Sequence, residues 1–217
     1  MKTEMKERYN EYLQKFKEAT PDDVQKKMKN AIDELKSSDD GEGLKEGDQA
    51  PDFTLPDPNG NSINLSNQLD IGPVIVTFYR GGWCPYCNME LREYQQILNE
   101  IHDAGGELIA ISPQTPDYSL STAQKNELSF HVLSDVGNKV AREYQLVYPV
   151  PDYLVDIYKE KGLDVDKHNG DDTWELPVAA TYVIDRNGTI VYEYTKADYK
   201  DRAEPSEVLE VLKKTNR

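Results

Sequence analysis

The stretch Val74-Ile75-Val76-Thr77-Phe78-Tyr79-Arg80-Gly81-Gly82-Trp83-Cys84-Pro85-Tyr86-Cys87 constrains this chain most, because it holds both of its cysteines with only two residues between them. The continuous β-branched and aromatic run from Val74 to Tyr79 predicts a short buried strand. Gly81-Gly82 breaks it. From Pro85 onward Met89, Leu91, Tyr94, Ile97, Leu98 and Ile101 recur at helical spacing until Gly105-Gly106 ends the run. Proline has no N–H to waste and a preset φ, so Pro85 suits the first helical position. Cys84 is therefore expected at the helix N-cap and Cys87 in the first turn. Free amide groups and the positive end of the helix dipole favour a thiolate there and lower the thiol pKa.

A zinc site would need four ligands, and the other soft candidates, His102, His131 and His168, are scattered and out of ligand spacing. A structural disulfide closing so short a loop would stabilise little. A redox dithiol is the reading that fits. One thiolate can attack a disulfide and form a mixed disulfide. It can equally attack a peroxide and form a sulfenic acid that condenses with its neighbour. Both routes end in a Cys84–Cys87 disulfide, so the chemistry alone leaves peroxide and disulfide substrates open. Gly81-Gly82 lacks any phosphate-loop pattern, and no metal, nucleotide or flavin cofactor is expected.

Three pieces carry a resemblance. Trp83-Cys84-Pro85-Tyr86-Cys87 resembles the active-site loop of the thioredoxin superfamily in its glutaredoxin version. Together with Gln49-Ala50-Pro51-Asp52-Phe53-Thr54-Leu55 and Thr181-Tyr182-Val183-Ile184-Asp185-Arg186-Asn187-Gly188, it makes the chain similar, from about residue 44 to 217, to peroxiredoxin-like proteins of the alkyl hydroperoxide reductase/thiol-specific antioxidant family. The resemblance implies a thioredoxin-like α/β fold, a central mixed sheet with helices on both faces. It implies a thiol-dependent peroxidase acting on hydrogen peroxide or organic hydroperoxides, with Cys84 and Cys87 as catalytic pair and redox disulfide, re-reduced by a thioredoxin-like donor. General thiol–disulfide exchange and a non-catalytic redox sensor are the alternatives. Aligned on Phe78-Tyr79, the family's Pro, Thr and peroxidatic Cys fall on Arg80, Cys84 and Cys87. Thioredoxin analogy instead makes Cys84, an exposed cap residue, the first attacker. The family's later arginine, where thioredoxins hold a cis-proline, falls on Ala179-Ala180, and Leu176-Pro177-Val178-Ala179 has its proline two residues early. Trp83, Pro85, Tyr86 and Ala179 are thus expected to support the pair. Arg80, four residues before Cys84, either holds a thiolate ionised or pairs with one of many surface carboxylates.

Those carboxylates dominate the composition: 40 acidic against 25 basic side chains, a formal charge of −15. Such a surface repels nucleic acid and anionic membranes. No apolar run reaches transmembrane length, and Met1-Lys2-Thr3-Glu4-Met5-Lys6-Glu7 lacks a signal-peptide core, so a cytoplasmic protein is expected. Residues 1–43 read as a helical extension and linker ahead of a domain at 44–217. Met5, Tyr9, Tyr12, Leu13 and Phe16 mark one helix; Val24, Met28, Ile32 and Leu35 mark a second, with Thr20 as cap, Pro21 in its first position and Asp23 reaching back. These stripes either cover the flank of the domain or serve a partner or homodimer contact. Hairpins are expected around Asn59-Gly60 and Asn187-Gly188. A strand at 107–112 should pair in parallel with the first, followed by a helix at 116–128 and a strand at 130–133 that leaves His131 half-buried. Helices at 138–144 and 152–161 precede a loop at 163–175 that carries His168 and Trp174, either groove-lining or packing anchors. A helix at 205–212 closes the chain.

Overall fold

A computed structural model of the chain describes residues 2–216, with side chains from 7 to 216. Two helices open it, α1 (Lys2–Ala19) and α2 (Asp22–Lys36). The Met5 side chain lies outside the described residues, but Tyr9 and Ile32 of the two expected stripes are buried. The expected cap differs. Pro21, extended at φ −55° and ψ 144°, takes the N-cap place itself, and Thr20 makes no capping bond. A residue before proline is pushed away from helical geometry, which displaces Thr20. Asp23 stays exposed; Gln25 Nε2 instead donates to the carbonyls of Lys17 and Thr20 and stitches the two helices together.

The short strands β1 (Thr54–Pro56) and β2 (Ser62–Asn64) pair antiparallel around Asn59-Gly60. A helix, α3 (Leu65–Ile71), follows directly, capped by Asn64, whose side chain accepts from the Asn67 N–H at 3.0 Å. Then come β3 (Val74–Phe78), α4 (Pro85–Gln96), α5 (Leu98–Asp103), β4 (Glu107–Ser112), α6 (Pro116–Lys125) and β5 (His131–Ser134). The single helix expected after Pro85 is broken at Ile97, whose N–H bonds back only three residues to Tyr94. The bend lets Leu98 and Ile101 bury beside β4.

The chain continues with α7 (Lys139–Glu143), β6 (Val147–Pro149), α8 (Asp152–Glu160), α9 (Val165–Asn169) and β7 (Glu175–Pro177). The stretch 163–175 is thus not a bare loop: α9 buries Val165, and β7 pairs with β6. Their few apolar residues are too short a run to show a period. His168 packs on Tyr118 (ring centroids 4.0 Å) and Trp174 takes Lys159 over its ring, so both act as packing anchors. The strands β8 (Ala180–Ile184) and β9 (Ile190–Thr195) form the hairpin around Asn187-Gly188, and α10 (Pro205–Thr215) ends the described chain.

The central sheet runs β5-β4-β3-β8-β9, with β5, β4 and β3 parallel and β8 and β9 antiparallel to their neighbours. Alternation along the strands sorts its two faces. Ile75, Leu108, Ala110 and Val132 meet α4, α5 and α10; Val74, Val76, Phe78, Ile109 and Ile111 meet α3 and α7. This is the thioredoxin-like arrangement, a mixed sheet with helices on both faces. The N-terminal helices add to one side, α1 on α4 and α2 on α8.

Gly72 ends α3 where the chain passes under the Gly105 turn; a Cβ there would lie 1.9 Å from the Gly105 carbonyl oxygen. Gly72→Ala is expected to cost about 1–3 kcal/mol by overpacking against backbone. A lower urea midpoint at unchanged slope would show it.

Candidate active site

The strand β3 delivers the chain to the site and a buried polar frame turns it. The Gly82 N–H donates to Gln114 Oε1 at 2.6 Å, and Asn88 Nδ2 donates to the carbonyls of Gly82 (2.8 Å) and Cys84 (3.1 Å). Asn126 Nδ2 in turn donates to Asn88 Oδ1 at 2.8 Å. Gly81 sits at φ +149°, and a Cβ there would strike the Trp83 indole, so the loop depends on glycine at that position. Cys84 is the N-cap of α4, Pro85 its first residue, and Cys87 lies in the first turn, as the spacing predicts.

Both thiols are free, and both are buried: Cys84 is 1% exposed and Cys87 0%. The expectation of an exposed Cys84 fails because it packs in one buried cluster with Tyr9 and Tyr86, and Tyr86 is itself covered from three sides. Tyr9 stacks on it at 5.5 Å, Tyr12 meets it edge-on at 5.3 Å, and Tyr199 lies at 5.7 Å. The Tyr9 hydroxyl also donates to the Tyr86 carbonyl.

Only one of the two thiols is activated. Burial pushes Cys87 up, yet the hydrogen bond from Cys84 and the charges of Arg202 and Arg80 outweigh it and hold Cys87 well below the ordinary thiol range. Burial drives Cys84 well above that range, and its bond to Cys87 and the charge there add to the shift. The lowered pKa expected from the helix mouth therefore belongs to Cys87 and not to the cap residue.

Arg202, from the segment between β9 and α10, is the residue that sequence reasoning missed. Its side chain is 3% exposed, and Nη2 donates to Cys87 Sγ at 3.3 Å. Its Nη1 pairs with the buried Glu90 and its Nε donates to the Tyr199 carbonyl. The family's arginine position does read Ala179-Ala180; β8 sets Ala180 opposite Phe78 and leaves Ala179 buried just before the strand with no polar group to offer. The guanidinium reaches the sulfur from elsewhere. One signal pointed there: Glu90 lies midway between Tyr86 and Tyr94 at helical spacing, a carboxylate on a buried stripe that calls for a buried cation.

Arg80 is not a surface arginine. It is 3% exposed, its Nη2 donates to the Tyr158 hydroxyl at 2.8 Å, and its Cζ lies 4.8 Å from the Trp83 ring centre and 4.4 Å from that of Tyr199. Trp83 and Tyr86 are thus both part of the surroundings of the dithiol: Trp83 shares the Arg80 guanidinium with Tyr199, and Tyr86 meets Tyr199 directly. Among the described residues, no three His, Cys, Asp or Glu side chains gather as a metal site would need.

The chain matches the AhpC/TSA family over residues 46–193. It is 30% identical over 151 residues to a chloroplastic peroxiredoxin Q of Gentiana triflora, covering 70% of this chain and 59% of that protein. It therefore spans about three fifths of that relative's length. It is 29% identical over 169 residues to a putative chloroplastic peroxiredoxin Q of Oryza sativa subsp. indica, covering 78% of this chain and 67% of the relative. Among solved structures it is similar in fold to a peroxidoxin of Mycobacterium tuberculosis (21% identity, TM-score 0.61, 78% of this chain and 96% of that one). A peroxiredoxin-like protein of Aquifex aeolicus is also similar (16% identity, TM-score 0.62, 81% and 90%).

Glu90 offers a test of this electrostatic frame. Burial, opposed by Arg202, raises its carboxyl from 4.5 to about 7. The folded state thus holds a proton that the unfolded state releases, so this group's stabilisation is full below pH 4.5 and is lost as pH rises through 7. The fall is about 3 kcal/mol at one pKa unit per 1.4 kcal/mol. Glu90→Gln should flatten the stability profile between pH 4.5 and 7, as read from urea unfolding across that range.

Proposed function

This chain belongs to the AhpC/TSA family, and we propose that it is a thiol-dependent peroxidase working through a Cys84–Cys87 dithiol–disulfide cycle. The observation that carries the reading is the Arg202 guanidinium on the Cys87 sulfur, at the amide-rich start of α4. A sulfur so held is shifted towards the thiolate, the reactive form.

The Cys87 thiolate attacks one oxygen of a hydroperoxide, the O–O bond breaks, and the departing alkoxide or hydroxide takes a proton to leave as alcohol or water. Cys87 is then a sulfenic acid, and condensation with Cys84 expels water and closes the disulfide. The Cys84 thiol stands where the family's threonine hydroxyl falls, and its proximity helps to lower the Cys87 thiol as a hydroxyl would. Arg202 and Arg80 also offer positive charge where the leaving oxygen becomes negative, the commonest means of lowering such a barrier. Hydrogen peroxide and small organic hydroperoxides suit a dithiol so enclosed, and a thioredoxin-like dithiol protein is the reductant. A reducing compartment such as the cytoplasm keeps the pair ready. Among the described residues no helix is long and apolar enough to cross a membrane.

General disulfide exchange is the second reading, favoured by Cys84 as N-cap in a Trp-Cys-Pro-Tyr-Cys loop. The buried, raised Cys84 thiol speaks against it as first attacker. Peroxide added to the reduced protein should oxidise a thioredoxin system catalytically, faster than the protein reduces insulin. With peroxide and a sulfenic-acid probe, Cys84→Ser should label at Cys87, and Cys87→Ser should neither label nor turn over. Labelling at Cys84 in Cys87→Ser, or insulin reduction without peroxide turnover, would overturn the reading.

A further inference from the structure

Two buried guanidiniums bear on the dithiol, Arg202 by direct contact with Cys87 and Arg80, packed on the Trp83 that precedes Cys84, through its charge, and they are compensated differently. Arg202 has the carboxylate of Glu90 and the sulfur of Cys87. Arg80, just as buried, has no carboxylate within ion-pair distance among the described residues. It has one tyrosine hydroxyl and two aromatic faces, and its Nε–H has no acceptor. The other ionisable groups facing Cys84 are Tyr9, Tyr12, Tyr86, Tyr148 and Tyr199, which burial keeps un-ionised, so none supplies an anion. Above pH 7, where Glu90 is ionised, the buried set Arg80, Arg202 and Glu90 carries one net positive charge. A single thiolate balances it.

We propose that Arg80 activates Cys84 as the resolving nucleophile: the site is built to hold one thiolate, which passes from Cys87 to Cys84 when peroxide oxidises Cys87. This rests on the peroxidase reading and names the residue responsible for its second step. In the reduced protein Cys87 carries the charge and Cys84 is the un-ionised donor. Once Cys87 is a sulfenic acid its charge is gone, and the share of the Cys84 shift owed to like-charge repulsion goes with it, leaving burial alone to oppose the guanidiniums. Arg80, beside Trp83 and Tyr199 and without a counter-ion, then favours ionisation at Cys84. The Cys84 thiolate attacks the Cys87 sulfur, the S–S bond forms, and the S–O bond breaks. Hydroxide departs and takes up the proton that Cys84 released, so one water is formed and no further oxidant is needed. During re-reduction each sulfur leaves once as a thiolate. The one of lower pKa leaves faster, so Cys87 leaves first, towards Arg202, and Cys84 leaves last, towards Arg80.

Two measurements test this, and the first needs no peroxidase activity. In Cys87→Ala the remaining thiol, Cys84, should be alkylated with an apparent pKa below the free-cysteine value of about 8.5 despite its burial. Adding Arg80→Met should raise that pKa by about one unit or more, a tenfold loss of thiolate, and Arg80→Lys should restore most of it. In the full dithiol protein, rapid mixing with hydrogen peroxide should show Arg80→Met slowing disulfide closure at least about tenfold more than it slows sulfenic acid formation. The sulfenic acid at Cys87 should then accumulate and be trapped. A Cys84 profile that Arg80→Met leaves unmoved would overturn the proposal, as would equal slowing of both steps. If Cys87 forms no sulfenic acid while Arg80 still shifts Cys84, the peroxidase reading fails and the Arg80–Cys84 coupling stands.

Discussion

A guanidinium donating to a sulfur inside the protein is the interaction on which the rest of this site depends. Taking Arg202 out of water is costly unless its charge is met with good geometry. Glu90 meets it on one side and Cys87 on the other, while the Tyr199 carbonyl fixes the third edge of the fork. Much of the surrounding sequence serves that arrangement. Helix α4 must start at Pro85 so that Cys87 and Glu90 fall one turn apart on its buried side. The chain after β9 must fold back so that a residue far along it reaches the start of that helix. The −15 charge of the chain is carried mostly by exposed side chains, whereas the guanidiniums of Arg80 and Arg202 are both buried.

Most of the scaffold was legible because its signals are local. Val74 to Tyr79 reads as a buried strand since every residue is apolar or β-branched, and all of β3 is indeed buried. Glycine pairs and Asn-Gly dipeptides mark the turns that the strands use. What escaped were elements whose stability is tertiary. The strands β6 and β7 are three residues each and exist through each other; α9 is a single turn held by one buried valine. Thr20 failed as a cap because the proline after it has its own geometry.

At the site the divide is similar. The positions of Cys84, Pro85 and Cys87 on their helix follow from i to i+3 spacing and needed no tertiary knowledge. Their unequal acidity did not, because burial by Tyr9 and Tyr12 from α1 and the approach of Arg202 are contacts across 77 and 115 positions of chain. A helix dipole acts on both cysteines, whereas a guanidinium in contact acts on one. The same long reach explains Arg80: its exposure could not be read from its neighbours, since Tyr158 and Tyr199 enclose it from distant segments.

The packing of α1 over Tyr86 and the place of Arg202 after β9 bear on how the protein is handled. The family-matched span, residues 46–193, contains both cysteines but neither Tyr9 nor Arg202. A fragment trimmed to those limits would keep the motif and lose its cover and its counter-ion. Glu90 would be left as an unpaired buried acid, and the sulfurs would open to bulk water. Kinetics on such a fragment would describe an ordinary exposed dithiol rather than the enclosed pair that residues 7–216 assemble.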